Sequence, residues 1–195
     1  MTDASQPPTP TMTTRMVGVF YAGTLAVAAG LAALGDGGVQ RLWRAPPADV
    51  LAPWWAEGLA LGAALLALSW AAEAIWPAMR RLTSELAAAL GPISLGTAVL
   101  WALASGIAEE ALFRGPIQDF VGWPLAALAF ALMHGGTSRR LIAWSSFALC
   151  AGAGFGWLVV RHDSLWPAIL AHVVVNAVNL RRLGLRAAAL EAEGT

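Results

Sequence analysis

A polytopic bundle of transmembrane helices is the fold class this sequence predicts. Three observations carry it. Hydrophobic residues make up 58% of the 195 and charged residues only 12%, the mean hydropathy is +0.63, and the apolar residues gather in runs long enough to cross a bilayer. A soluble domain holds roughly 45–50% apolar and roughly 25% charged residues, and one core in a chain of this length cannot hide the excess. The expectation is an all-α architecture of about six spans plus one amphipathic surface helix.

Charge narrows the function. Twelve basic residues balance twelve acidic ones, so there is no electrostatic footprint for nucleic acid. Every basic residue is arginine, which removes a lysine nucleophile, a Schiff base and a P-loop lysine. The one cysteine, Cys150, sits in an apolar run, which rules out a disulfide framework, a thiolate zinc site and a CxxC pair.

Residues 1–14 (MTDASQPPTPTMTT) are rich in threonine and proline and read as a disordered tail. The run Met16–Leu34 is long enough to span, and no basic segment precedes it, so it reads as a retained anchor helix rather than a cleaved signal peptide. A loop with Gly35, Gly37, Gly38, Pro46, Pro47 and Pro53 follows. The second span, Trp54–Ile75, is bracketed by Trp54, Trp55 and Trp76 at headgroup depth, with Glu57 and Glu73 near the two faces. From Pro77 to Leu90, Arg80, Arg81 and Glu85 alternate with Met79, Leu82, Leu86 and Leu90 at helical spacing, the pattern of a surface helix.

Four further apolar segments run from about Ile93 to Phe113, Trp123 to His134, Leu141 to Val160 and Leu165 to Leu180. The second of these is too short to be a free-standing span. The division is a tail (1–14), two spans and an amphipathic connector (15–90), a helical core (91–182) and a C-terminal tail (183–195). Arg15, Arg80, Arg81, Arg139, Arg140, Arg181, Arg182 and Arg186 then share one side, against Arg41, Arg44, Arg161 and Arg114. That imbalance favours both termini in the cytoplasm. Gly152 and Gly156 form a GxxxG spacing, read as helix packing.

The informative residues are polar ones inside apolar runs. Glu109 and Glu110 close a chargeless stretch from Pro92 to Ala108. A mid-bilayer acidic group costs about 2.5–3.5 kcal/mol on insertion scales, and such residues face a bundle interior or a wet cavity. Glu110 and Arg114 are four apart and share a helix face, while Glu109 points about 100° away. Glu110 thus reads as the partner of Arg114. Glu109 has no sequence-local cation, and a carboxylate in an apolar pocket is a better proton acceptor, which suits a general base. His134 has Phe130 one turn earlier, and His172 has Asn176 one turn later. His162, in an arginine- and aspartate-bearing loop, reads as solvated. Ser105 lacks a histidine partner, and Cys150 has nothing to favour its thiolate, so neither is a good nucleophile.

The segments EEALFR (109–114), FALMH (130–134) and HVVVN (172–176), in that order, resemble the EExxxR, FxxxH and HxxxN motifs of the CPBP intramembrane proteases. That family includes type II CAAX prenyl endopeptidases, bacteriocin-processing enzymes and abortive-infection-like proteins. The resemblance covers roughly residues 91–180. It implies a helical membrane bundle with a polar cavity, in which water activated by Glu109 and His134 cuts a peptide bond. His172 and Asn176 would stabilise the oxyanion, with Glu110, Arg114 and Phe130 in support. Amide hydrolysis independently asks for this inventory: a base, an acid and oxyanion donors.

Glu109, His134 and His172 with an open position for water are also a possible Zn2+ ligand set, though no HExxH is present. The expectation is a metal-independent mechanism, with zinc as the open alternative. The implied partners are the lipid bilayer and a peptide or membrane-protein substrate. The lysine-free, alanine-rich composition reads as bacterial, which places the protein in the inner membrane. Two other classes compete: a catalytically silent scaffold of the same fold, and a small transporter or proton relay, for which no internal symmetry is visible.

Overall fold

A computed structural model describes residues 13–46, 53–135 and 141–193. Residues 1–12 of the expected tail, Pro47 and the Arg139–Arg140 pair lie outside the described residues. The described elements are all helical. They are α1 (Thr14–Ala33), α2 (Trp54–Ile75), α3 (Pro77–Leu90), α4 (Leu95–Leu112), α5 (Gln118–Val121), α6 (Trp123–Gly135), α7 (Ile142–His162) and α8 (Trp166–Glu193). A short 3-10 turn (Val39–Trp43) follows α1, and a π-type turn (Phe113–Ile117) joins α4 to α5.

The chain is a polytopic helical membrane bundle. Among the described residues, five stretches are long and apolar enough to cross a membrane: α1, α2, Leu95–Val121, α7 and α8. The fourth expected span is α6, whose 13 residues cover only about 20 Å at 1.5 Å per residue. It lies against α7 and runs antiparallel to it. The third expected span does not stop at Phe113, because α4 continues through the π-type turn into α5.

Side-chain contacts sort the helix ends into two faces. On one face, Arg44 pairs with Asp163 at 2.6 Å, and Arg161 and His162 both contact Glu57. His162 is therefore not solvated as expected: its ring is buried, with Nε2 3.0 Å from Glu57 Oε2. On the opposite face, Trp101 Nε1 donates to Thr14 Oγ1 and Arg181 donates to the Ile93 carbonyl. The start of α1 and the end of α8 thus share a face.

Thr13 caps α1, its hydroxyl accepting from the Met16 amide, so the helix begins within what read as tail. Ser94 does the same for α4 through Thr97. On α3, Met79, Leu82 and Ala87 are buried while Arg80, Arg81 and Glu85 face outward, the amphipathic pattern its sequence shows. The expected tail 183–195 is instead helix as far as Glu193. Contacts across the bundle hold it: Arg182 and Arg186 share Glu73 at 3.2 and 2.6 Å, and Gly184 packs on Ile93.

Helix α8 is the centre of the bundle, packed against α2, α3, α4 and α7. The α2–α8 contact depends on small residues. A Cβ on Gly58 would lie 2.7 Å from the Pro167 carbonyl oxygen, and one on Gly62 would press on Val174 at 3.3 Å. Gly58 and Gly62 are thus a working small-xxx-small pair. Phe155, Leu158, Ala168, Ala171 and Val175 complete the apolar core where α7 meets α8. Beneath it, α4, α6 and α8 turn their polar residues towards one another.

Candidate active site

The last turn of α4 carries Glu109 and Glu110 to the middle of the bundle. The helix then changes pitch, since Pro116 has no N–H to donate and Gly115 departs from helical geometry (φ −81°, ψ −117°). Arg114 lies in that turn. Its Nε is 3.3 Å from Glu110 Oε2, and both side chains are fully buried.

A buried ion pair depends on the contacts around it, and here they satisfy the guanidinium in part, since Arg114 Nη1 has no hydrogen-bond partner among the described residues. Arg114 Nη2 donates to the Gly152 carbonyl at 3.2 Å. The guanidinium also lies 4.3 Å from the Phe130 ring centroid and 5.4 Å from that of Phe155, a cation–π sandwich. Gly152 makes this approach feasible, since a Cβ there would sit 3.1 Å from Nη2. The GxxxG spacing on α7 thus packs helices and also opens backbone carbonyls to polar side chains. Gly156 likewise receives Gln118 Nε2 at 3.2 Å.

Glu110 has a second partner, because its Oε1 lies 2.7 Å from His172 Nδ1. Glu110 is ion-paired with Arg114, so the hydrogen of this bond belongs to Nδ1 and the lone pair of a neutral His172 is left on Nε2. His134 Nδ1 lies 2.8 Å from the Phe130 carbonyl oxygen. A carbonyl only accepts, so His134 also carries its hydrogen on Nδ1 and presents a bare Nε2 when neutral.

Both Nε2 atoms face Glu109. Its Oε2 is 3.7 Å from His134 Nε2 and 3.9 Å from His172 Nε2, and it has no hydrogen-bond partner among the described residues. The other oxygen, Oε1, accepts from the hydroxyl of Tyr21 on α1 at 3.0 Å. Glu109 has no sequence-local cation, and its hydrogen-bond partner is a phenol on another helix. Its partner comes from 88 residues away.

Glu109, Glu110, Arg114, Phe130, His134 and His172 are joined contact by contact. Asn176 lines a cavity with Phe130, His134 and His172, but its amide donates to Ser105 Oγ at 2.9 Å rather than to Glu109 or a histidine. Ser105 in turn donates to the Ala102 carbonyl. Tyr21 and Ser105 were missed as site residues in the sequence. Tyr21 is the one tyrosine of the chain, which was the only available signal.

The cavity, about 520 Å3, holds Tyr21, His134, His172 and Asn176 at one end and reaches Glu73 and Arg186 at the other. A second cavity of about 580 Å3 opens at the opposite end of the bundle. It takes in Arg114 and the Arg41–Asp119 ion pair but neither of the site histidines.

A tetrahedral zinc with bonds of about 2.0–2.2 Å brings its ligand atoms within roughly 3.3–3.6 Å of one another. The Glu109–histidine separations exceed this. Among the described residues no three His, Cys, Asp or Glu side chains are grouped to hold a metal.

Residues 91–178 match the family model described as type II CAAX prenyl endopeptidase Rce1-like. No curated protein and no solved structure matches the chain. The matched segment runs from the end of α3 into α8 and contains every residue of the EExxxR, FxxxH and HxxxN motifs, while Tyr21 lies outside it. Residues 91–178 are therefore similar to the type II CAAX prenyl endopeptidase Rce1-like family, a family of membrane proteases.

Proposed function

We propose that the chain is an intramembrane endopeptidase that hydrolyses a peptide bond with water activated by Glu109 and His134. One observation carries the reading. A carboxylate oxygen without a protein partner faces two imidazole lone pairs across 3.7 and 3.9 Å, a spacing that a water can bridge.

In the proposed step, Glu109 with His134 takes a proton from water as the hydroxide oxygen bonds to the scissile carbonyl carbon. The carbonyl π electrons move onto oxygen, giving a tetrahedral oxyanion. Collapse re-forms the C=O bond, breaks the C–N bond and returns the proton to the leaving amine. A carboxylic acid and an amine result, so no redox partner is needed. Asn176 Nδ2 carries two hydrogens and would donate to the oxyanion the one not given to Ser105. His172 can join it only as the imidazolium, since its neutral form has no hydrogen on Nε2. Glu110 and Arg114 hold His172 in place. No step is routed through a metal.

The substrate would be a membrane-associated peptide or membrane protein, reaching the site through the 520 Å3 cavity. The described arginines Arg15, Arg80, Arg81, Arg181, Arg182 and Arg186 cluster on the face that holds both helix termini. That supports a cytoplasmic position for both termini, with the inner membrane of a bacterium as the setting.

The test is Glu109→Gln, which keeps the shape and removes the base. Membrane proteomes of cells carrying the wild type and this variant should differ by a set of cleaved termini absent from the variant, with equal insertion of both proteins. Identical termini in the two would leave the scaffold reading in its place.

A further inference from the structure

We infer that Tyr21 is a positioning residue for Glu109, so that α1, outside the matched domain, is part of the catalytic apparatus. The inference rests on the peptidase reading and extends it to a residue in none of the three motifs.

Tyr21 lies on the inner face of α1. Val17, Ala28 and Ala32 are that helix's buried residues, and at spacings of four, seven and eleven from them Tyr21 falls on the same stripe. Its neighbours Phe20 and Ala22 are exposed. Phenylalanine would fill this place equally well, and a phenol hydroxyl withdrawn from water has to find a partner. The hydroxyl finds Glu109 Oε1 at 3.0 Å.

A carboxylate's terminal torsion is broad and roughly two-fold, so an unheld Glu109 would turn its oxygens freely. Tyr21 fixes one oxygen and so leaves Oε2, the other, facing His134 and His172. Helix α1 is itself fixed against α4 by the Trp101–Thr14 hydrogen bond. The hydroxyl is thus held from two sides: by the buried stripe of α1 and by a bond near the start of both helices. Holding a catalytic group in its productive orientation raises the rate of the chemical step rather than the affinity for substrate.

The experiment uses the full chain reconstituted in vesicles, with a peptide spanning a bond mapped by the Glu109→Gln proteome comparison as probe. Tyr21→Phe should lower kcat about ten- to hundredfold with KM held within about twofold and the melting temperature little changed. Glu109→Asp withdraws the carboxylate from the hydroxyl, so adding Tyr21→Phe to it should cost no further activity. Tyrosine labelled with 13C at Cζ gives a single resonance in this chain. That resonance should move in Glu109→Gln, a readout that needs no turnover.

Wild-type kcat in Tyr21→Phe, a full multiplicative loss on top of Glu109→Asp, or an unmoved resonance would each overturn the inference while leaving the peptidase reading standing. Unchanged membrane termini in Glu109→Gln would instead remove the peptidase reading, and this inference with it.

Discussion

His172 Nδ1 lies 2.7 Å from Glu110 Oε1, and both side chains are buried. Glu110 is therefore shared: one oxygen faces Arg114 and the other fixes the tautomer of His172. The two roles predict a double effect. Glu110→Gln keeps the shape but strands the Arg114 charge, and its amide can bind Nδ1 in either sense. Cleavage should fall by up to about 10⁴-fold, the loss seen when a carboxylate that fixes a histidine tautomer is neutralised. The melting temperature should fall as well. Near-wild-type turnover in a well-folded variant would show that His172 needs no such orientation.

Removing the other end of the ion pair should act on folding first. Arg114→Ala leaves Glu110 as an uncompensated buried charge, a loss of about 3–5 kcal/mol for pairs of this kind. Arg114→Lys should not restore it, because an ammonium cannot both reach the Gly152 carbonyl and lie flat on Phe130. Folded yield and melting temperature in detergent decide the matter. Wild-type stability of Arg114→Ala would mean that the pair is incidental.

What the sequence made legible, and what it hid, follows from the range of each interaction. Glu110 with Arg114, Phe130 with His134 and His172 with Asn176 are each four residues apart on a helix, so their shared faces could be read from spacing alone. The Tyr21–Glu109 bond joins two helices 88 residues apart, and no local period encodes it. The helical end of α8 was hidden for the same reason. Its polar residues look like tail until Glu73 of α2 is brought alongside Arg182 and Arg186. His162 looks solvated beside Arg161 and Asp163 until Glu57 meets it across the bundle.

The glycine pair on α2 gives a prediction about packing alone. A Cβ on Gly58 meets a backbone oxygen of α8 at 2.7 Å, which cannot move aside as a flexible side chain would. Gly58→Ala should destabilise the bundle by about 1–3 kcal/mol. Gly96→Ala is the control, since its Cβ would meet only Ser94 Oγ at 3.8 Å. Equal melting temperatures for the two variants would show that α2 and α8 can part without penalty.

Metal independence is testable directly. The proposed water activation uses Glu109 and His134 alone, so prolonged treatment with a strong zinc chelator should leave the cleavage rate unchanged. Elemental analysis of active protein should find zinc well below one ion per chain. Loss of activity on chelation that zinc restores would overturn metal independence.

Asn176 supplies the last prediction. Its Nδ2 donates one hydrogen to Ser105 Oγ at 2.9 Å, which leaves the second hydrogen for the proposed role as oxyanion donor. Losing one such donor costs about 2.7–4 kcal/mol, or roughly 10²–10³ in kcat. Asn176→Ala should therefore lower kcat by that factor with little change in KM, since the oxyanion exists only in the transition state. Ser105→Ala frees the amide without removing it, and it should leave kcat near the wild-type value or raise it. If Ser105→Ala lowers kcat as far as Asn176→Ala, the hydrogen bond between them is what catalysis needs, and Asn176 acts as a support for Ser105 rather than as a donor to the substrate.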